Sequence, residues 1–232
     1  MGAAITIVLL GSSTISIAAG AFIGGIAVVA LVLLLVRITP VNTVATYVLA
    51  GIVMSSVSRA CIMVQKFFAD PANELAAIEF WTMGSLANIT LDKLLTIVPV
   101  FLISLTALFL MRRQIELMSL NEDEIRMLGV RLSLVRTVIL GFSTLLVASI
   151  ISMTGLISFI GLIAPHIAKL MLKRNNFATA AMSALVGGIV ILVSDTLARS
   201  IYTVEIPISI LTTFIGVPIL LYFMFNQKEA RA

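Results

Sequence analysis

Charged residues are scarce in this chain: only 11% of its 232 residues are Asp, Glu, Lys or Arg, whereas 60% are hydrophobic. A soluble domain of this size carries about 25% charged residues, because its surface must be covered with groups that water solvates. The composition therefore excludes an ordinary soluble globular protein.

Cysteine and histidine are almost absent, with one residue of each, Cys61 and His166. A single cysteine cannot form a disulfide within the chain, and neither residue has the companion ligands that a transition-metal site requires. We therefore predict no metal site and no cofactor. We expect His166 to form a hydrogen bond at a helix end.

A nucleotide-binding motif is also missing. The chain has no Gly-rich loop ending in Gly-Lys-Ser/Thr, whose backbone N–H groups would hold the phosphates of ATP. The chain itself is therefore predicted not to be an ATPase or any other enzyme.

Long uncharged runs are what the chain has in abundance. They divide at Gly and Ser clusters and at charges into eight apolar segments, at about 1–10, 17–36, 41–67, 94–111, 134–152, 156–172, 177–197 and 207–226. About 20 apolar residues are needed for a helix to cross a bilayer, so the first segment is only half a span. We predict an all-α, polytopic transmembrane bundle, formed as a single domain over residues 1–232.

Basic residues are unevenly distributed among the loops. Eleven of the 15 Lys and Arg residues fall in alternate loops, at the ends of apolar runs. Cytoplasmic loops collect Lys and Arg, so this bias predicts a cytoplasmic C-terminus and places residues 69–91 outside. The basic residues orient the protein in the membrane and do not indicate nucleic-acid binding.

One basic residue, Arg59, lies inside an apolar segment. A buried charge in a membrane is costly, unless the side chain faces a water-filled cavity or extends to the interface. A role in a pathway or in packing and simple snorkelling both remain open.

The largest cytoplasmic segment covers residues 112–136. Asn121 can cap a short helix with an acidic first turn, which the helix dipole favours, and Gly129 can supply a left-handed C-terminal cap. We interpret this capped, charged helix as a docking element. The alternative is a solvated loop helix without a partner.

The apolar segment 156–172 contains Gly161 and Pro165, with His166 next to the proline. Proline removes a backbone donor and kinks a helix, so we predict a structural role for this group at a helix break. The group also carries a family resemblance. Its Gly-Leu-x-x-Pro-His pattern, where x is apolar, closely resembles that of the FecCD-type permease family, the membrane subunits of ATP-binding-cassette (ABC) importers for iron-siderophores, haem and cobalamin.

Other motifs similar to the family's occur in family order. They are Leu49-Ala50-Gly51, Phe80-Trp81-Thr82-Met83-Gly84-Ser85-Leu86, the acidic segment 120–130, Ser194-Asp195-Thr196-Leu197-Ala198-Arg199, Glu205-Ile206-Pro207-Ile208 and Ile215-Gly216-Val217-Pro218. Family members usually have ten spans, so the resemblance implies that the first two spans are missing here.

The resemblance implies a type II ABC importer permease that moves an iron chelate (siderophore or haem) or cobalamin inward. It implies a permease homodimer in the lipid of the plasma (inner) membrane, a separate ATPase subunit and an outer substrate-binding protein. The coupling residues carried over are Glu122, Asp123, Glu124, Arg126, Leu128 and Gly129. Arg199 and Glu205 are carried over as contacts to the binding protein.

Three alternatives stay open at this point. The chain could be an N-terminally truncated, non-functional permease remnant, or a secondary transporter not driven by ATP. A secondary transporter usually keeps acids inside the membrane, and here only Asp195 approaches a span, near its outer end. Asp195 and Arg199 stand four residues apart, so a local salt bridge is the alternative to a docking role.

Overall fold

The computed structural model describes residues 1–11, 13–39, 43–87, 89–118, 120, 122–127, 129–174, 176–201 and 206–226. Over these residues the chain is helical, with no strand. The helices are α1 Gly2–Leu10, α2 Thr14–Ile38, α3 Val44–Phe68, α4 Glu74–Met83, α5 Leu91–Leu110, α6 Arg112–Leu117, α7 Glu122–Met127, α8 Leu132–Thr154, α9 Ile160–Leu172, α10 Phe177–Ile201 and α11 Ile208–Asn226.

The predicted all-α membrane fold is confirmed, since each of the eight apolar segments coincides with a helix. Five helices, α2, α3, α5, α8 and α10, are long and apolar enough to cross a membrane. Two shorter apolar helices are Ile160–Leu172 and Ile208–Phe223. Apolar segments form helices here because a helix satisfies its own backbone hydrogen bonds, which lipid cannot do.

The helices fall into two compact units. One contains Met1–Phe80 and Thr90–Met153, and the other contains Trp81–Ile89 and Thr154–Ala232. The first unit is centred on a buried cluster of Ala4, Ile7, Ala69 and Ile78. The expectation of a single domain over the whole chain stays a prediction.

Glycines bring α1 and α2 of the first unit into close contact. A Cβ added to Gly24 would lie 2.7 Å from the Cα of Gly2, and one added to Gly20 would clash with the Thr6 side chain. Small residues four apart allow membrane helices to approach this closely, so their backbones pack by van der Waals contact. The half-span α1 is thereby held against the full-length helix α2.

In the second unit, α9 packs against α10 and α11. Ile163, Ala164 and Ala168 are buried on α9, and a Cβ on Gly187 of α10 would just touch Ala164. The helix continues through Pro165, so the chain leaves helical geometry earlier than Gly161 or Pro165, between Gly155 and Phe159. Both of these residues have positive φ, 69° and 68°, which ends one helix and redirects the chain into the next.

Candidate functional site

Three distant parts of the sequence meet in the second unit, at residues 81–85, 154–158 and 208–212, which we call the junction. The Ser85 N–H donates to the Thr154 carbonyl (2.8 Å), and the Ile208 N–H donates to the Gly84 carbonyl (3.1 Å). Each segment belongs to a motif or lies beside one that was recognised from the sequence. The backbone hydrogen bonds join these motifs into one structural element.

Side-chain hydroxyls at the start of α11 complete the junction. Ser209 Oγ donates to the Leu156 carbonyl (2.7 Å), and Thr212 Oγ1 donates to the Ser158 carbonyl (3.0 Å). The Ser158 N–H donates to Ser209 Oγ (3.3 Å). These bonds satisfy backbone groups of a non-helical segment, which would otherwise be costly to leave unpaired away from water.

Two glycines make the close approach possible. Gly84 and Gly155 have φ of 68° and 69°, in the left-handed region that side chains with a Cβ rarely adopt. A Cβ on Gly84 would lie 2.5 Å from the Leu156 carbonyl oxygen, and one on Gly155 would clash with the Trp81 carbonyl oxygen. Sequence reasoning did not predict this meeting, although Gly84 lies within the motif quoted over residues 80–86.

Arg199 lies near the end of α10, in the same unit as the junction. Its Nε donates to Asp195 Oδ2 at 3.0 Å, and 48% of the Arg199 side chain is exposed, compared with 23% for Asp195. The local salt bridge is therefore present, and it leaves Arg199 accessible. Glu205, the other residue expected to contact a binding protein, lies outside the described residues.

The segment 112–136 contains two short helices, α6 and α7. Helix α7 begins at Glu122, and Gly129 has φ of 72°, the conformation that its predicted role as a C-terminal cap requires. Ile125 is buried and Glu124 is exposed. Asn121 and Leu128 lie outside the described residues, as do the side chains of Glu122, Asp123 and Arg126.

His166 lies on α9 with its Nδ1 2.6 Å from the Leu162 carbonyl, and its ring stacks on Phe223 at 6.3 Å. The expected hydrogen bond is present, but it lies in the interior of α9 and not at a helix end, because the imidazole contacts a carbonyl one turn back in its own helix. Across the part of the chain that the structure describes, no three His, Cys, Asp or Glu residues cluster as metal ligands.

Comparison with known proteins shows the family of the chain. The model of the FecCD transport family matches residues 1–226. The chain is 33% identical to the molybdate import system permease protein MolB of Haemophilus influenzae, over 78% of this chain and 54% of that protein. It is 30% identical to the hemin transport system permease protein HmuU of Yersinia pestis, over 92% of this chain and 64% of that protein.

A solved structure, described as an inward-facing conformation of a metal-chelate type ABC transporter, matches with a TM-score of 0.89 and 30% identity. The match covers 97% of this chain and 71% of that chain. The chain spans between about half and two thirds of the length of the first curated relatives it matches. By the match over residues 1–226, the chain belongs to the FecCD transport family.

Proposed function

We propose that this chain acts as the membrane-spanning permease of an ABC importer and moves an iron chelate or cobalamin inward. The family match over residues 1–226 carries the proposal, because it extends through all eight apolar helices. By their names, relatives serve molybdate, haemin and iron chelatin import, which supports a metal complex or metal oxyanion as the substrate class. ATP hydrolysis is then carried out by a separate ATPase chain.

The proposed ATPase contact is the coupling segment, 112–136. Its residues Glu122, Asp123, Glu124, Arg126, Leu128 and Gly129 form or follow the short helix α7. The exposed Glu124 supports a polar contact surface on this helix, and the buried Ile125 supports its attachment to the rest of the protein. The N-terminal end of α7 is acidic, so its charge stabilises the helix that would insert into the ATPase.

The proposed contact with an outer substrate-binding protein uses Arg199 and Glu205. All three segments of the junction belong to loops or helix ends that the charge bias assigns to the outer side. The hydrogen bonds among the three segments support their placement on one side, because segments that bond to one another must lie at the same depth in the membrane. A cytoplasmic C-terminus and a homodimer in the inner membrane complete the proposal.

The distribution of acidic residues argues against a secondary transporter. In the five long helices the only acids are Asp92, in the first turn of α5, and Asp195, which binds Arg199. Ion-coupled carriers keep acids near the membrane centre, where protonation or ion binding drives the transport cycle. This chain offers no such group in its long helices.

The test is uptake into proteoliposomes containing the chain, its ATPase subunit and its binding protein. We expect accumulation of ferric chelate that requires ATP and persists when an ionophore collapses ion gradients. Uptake without ATP that stops with the ionophore would establish secondary transport instead. A chain that binds the ATPase but never accumulates any of ferric chelate, haem, cobalamin or molybdate would contradict the importer proposal.

A further inference from the structure

Arg59 carries a positive charge within a helix long and apolar enough to cross the membrane. It is exposed on α3, the 25-residue helix Val44–Phe68. Among the described residues, Arg59 has no ion pair and no hydrogen bond from its side chain. Lys66 differs, because its Nζ lies 2.6 Å from Glu79 Oε1.

Snorkelling to the interface does not account for Arg59. Ser56 is the middle residue of α3, and Arg59 lies three residues further on, about 4.5 Å along the helix axis. With α3 centred in hydrocarbon about 30 Å thick, the guanidinium would have to extend about 10 Å along the axis to reach headgroups. That distance exceeds the length of an arginine side chain, so the charge needs water or a counter-ion at depth.

The helix surface on the N-terminal side of Arg59 is polar. Ser55 and Ser56 precede it by four and three residues, so all three lie on neighbouring positions of one helix face, and all three are exposed. Ser56 Oγ donates to the Ile52 carbonyl (3.0 Å), which holds this hydroxyl on the helix surface. A polar, charged strip in the middle of a membrane helix is typical of a water-filled passage.

The described long helices hold no acid that is placed to pair with Arg59. Asp92 lies in the first turn of its helix and Asp195 already binds Arg199, so a second copy offers no unused acid near this depth from its long helices. Lipid phosphates lie at the interface, about 10 Å away. A solute that enters a water-filled passage would bring negative charge to this depth.

We propose that Arg59 lies on the wall of the substrate passage and selects for anionic, oxygen-rich metal complexes over uncharged ones. The inference rests on the proposed import function and narrows its substrate class. A guanidinium offers five N–H donors in a planar fork, which suits carboxylate and oxyanion groups. The substrate class could be a carboxylate chelate of iron or a metal oxyanion, which share this chemistry.

The first test does not depend on transport. In a Cys61→Ala background, Ser56→Cys in the membrane-embedded complex is treated with anionic and cationic methanethiosulfonate reagents, with rates normalised to those of a free thiol. We expect the anionic reagent to react at least about tenfold faster, because Arg59 concentrates anions nearby. Arg59→Gln should abolish this preference and Arg59→Lys should keep it.

The matched control is Lys66→Gln, which removes one positive charge from the same helix and should leave the preference unchanged. A Ser56→Cys thiol that reacts with neither reagent faces lipid, and that result overturns the proposal. A preference that survives Arg59→Gln overturns it as well.

The second test measures uptake of ferric citrate, molybdate and an uncharged ferric hydroxamate. We expect Arg59→Gln to lower uptake of an anionic probe at least about tenfold relative to the uncharged complex. If only ferric citrate uptake falls, the anionic substrate class is a carboxylate chelate. If only molybdate uptake falls, it is a metal oxyanion. An unchanged ratio for both anions overturns the proposal. If the wild type imports none of the three and neither haem nor cobalamin, the import function fails while the labelling still decides the role of Arg59.

Discussion

Individual residues with positive φ determine the junction. Gly84 and Gly155 both have positive φ, and a Cβ added to either would clash with a carbonyl oxygen of the opposing segment. Gly188 of α10 has no such constraint, since a Cβ there would meet nothing within 4 Å. The two types of glycine provide a matched comparison within one unit.

We predict that Gly155→Ala destabilises the protein by about 1–3 kcal/mol, the usual cost of a strained backbone conformation, with the Trp81 clash adding to it. Gly188→Ala should be neutral or stabilising by up to about 1 kcal/mol, since alanine favours a helix interior. Thermal unfolding in nanodiscs, followed by Trp81 fluorescence, measures both. Equal midpoints for the two variants would show that the close approach at Gly155 has little energetic weight.

Substitutions of Arg199 distinguish a structural role of its side chain from a role in docking the binding protein. As an exposed pair, Arg199–Asp195 should contribute about 0–1 kcal/mol, so Arg199→Ala should hardly change stability. If Arg199 meets a carboxylate of the binding protein, Arg199→Glu should weaken binding by about 2–5 kcal/mol, because attraction becomes repulsion.

The measurement is affinity of the reconstituted permease for its binding protein, at low and high salt. Asp195→Ala is the control, since it breaks the local pair and keeps the guanidinium. If Arg199→Glu binds as tightly as the wild type in an assembled complex, only the local salt bridge remains.

At the scale of elements, the short helix α7 differs from the long apolar helices. It has six residues, and isolated helices this short are not stable in water, so its ends and its contacts must hold it. Ile125 is buried and supplies one such contact. Gly129 follows the helix in a left-handed conformation, which proline cannot adopt.

We predict that Gly129→Pro, and separately the double reversal Glu122→Lys with Glu124→Lys, lowers affinity for the ATPase at least about tenfold, or about 1.4 kcal/mol. ATP-driven uptake should fall in parallel. Glu116→Lys is the control, because it reverses one acidic charge on α6 of the same segment and leaves α7 unchanged. Unchanged assembly and uptake in both test variants would leave α7 as a solvated loop helix.

At the scale of the whole molecule, the charge bias predicts which loops lie on each side of the membrane. In a Cys61→Ala background, Ala72→Cys should react with an impermeant thiol reagent only from outside, and Arg113→Cys only from the cytoplasmic side. Sealed vesicles of both orientations provide the measurement and its control. Labelling of Ala72→Cys from the cytoplasmic side alone would reverse the orientation and the assignment of every loop.

The sequence by itself determined the eight apolar helices and their approximate ends, but not the short helices α4 and α6. A segment surrounded by lipid must satisfy its backbone hydrogen bonds internally, so uncharged runs of about 20 residues have one available structure. The Asp195–Arg199 pair was equally predictable, because residues four apart on a helix are neighbours whatever surrounds them. Both are consequences of local geometry.

The tertiary structure alone decided which distant segments meet and which helix faces stay exposed. The bonds from Ser209 to Leu156 and from Ser85 to Thr154 join residues 53 or more positions apart, and no periodicity reports such a distance. The course of α9 through Pro165 also depends on packing, since Ile163 and Ala164 are buried against neighbouring helices. Arg59 shows the same division. Its place in an apolar run was plain from the sequence, and only the packing of α3 revealed that its side chain is exposed and forms no ion pair with any residue that the structure describes.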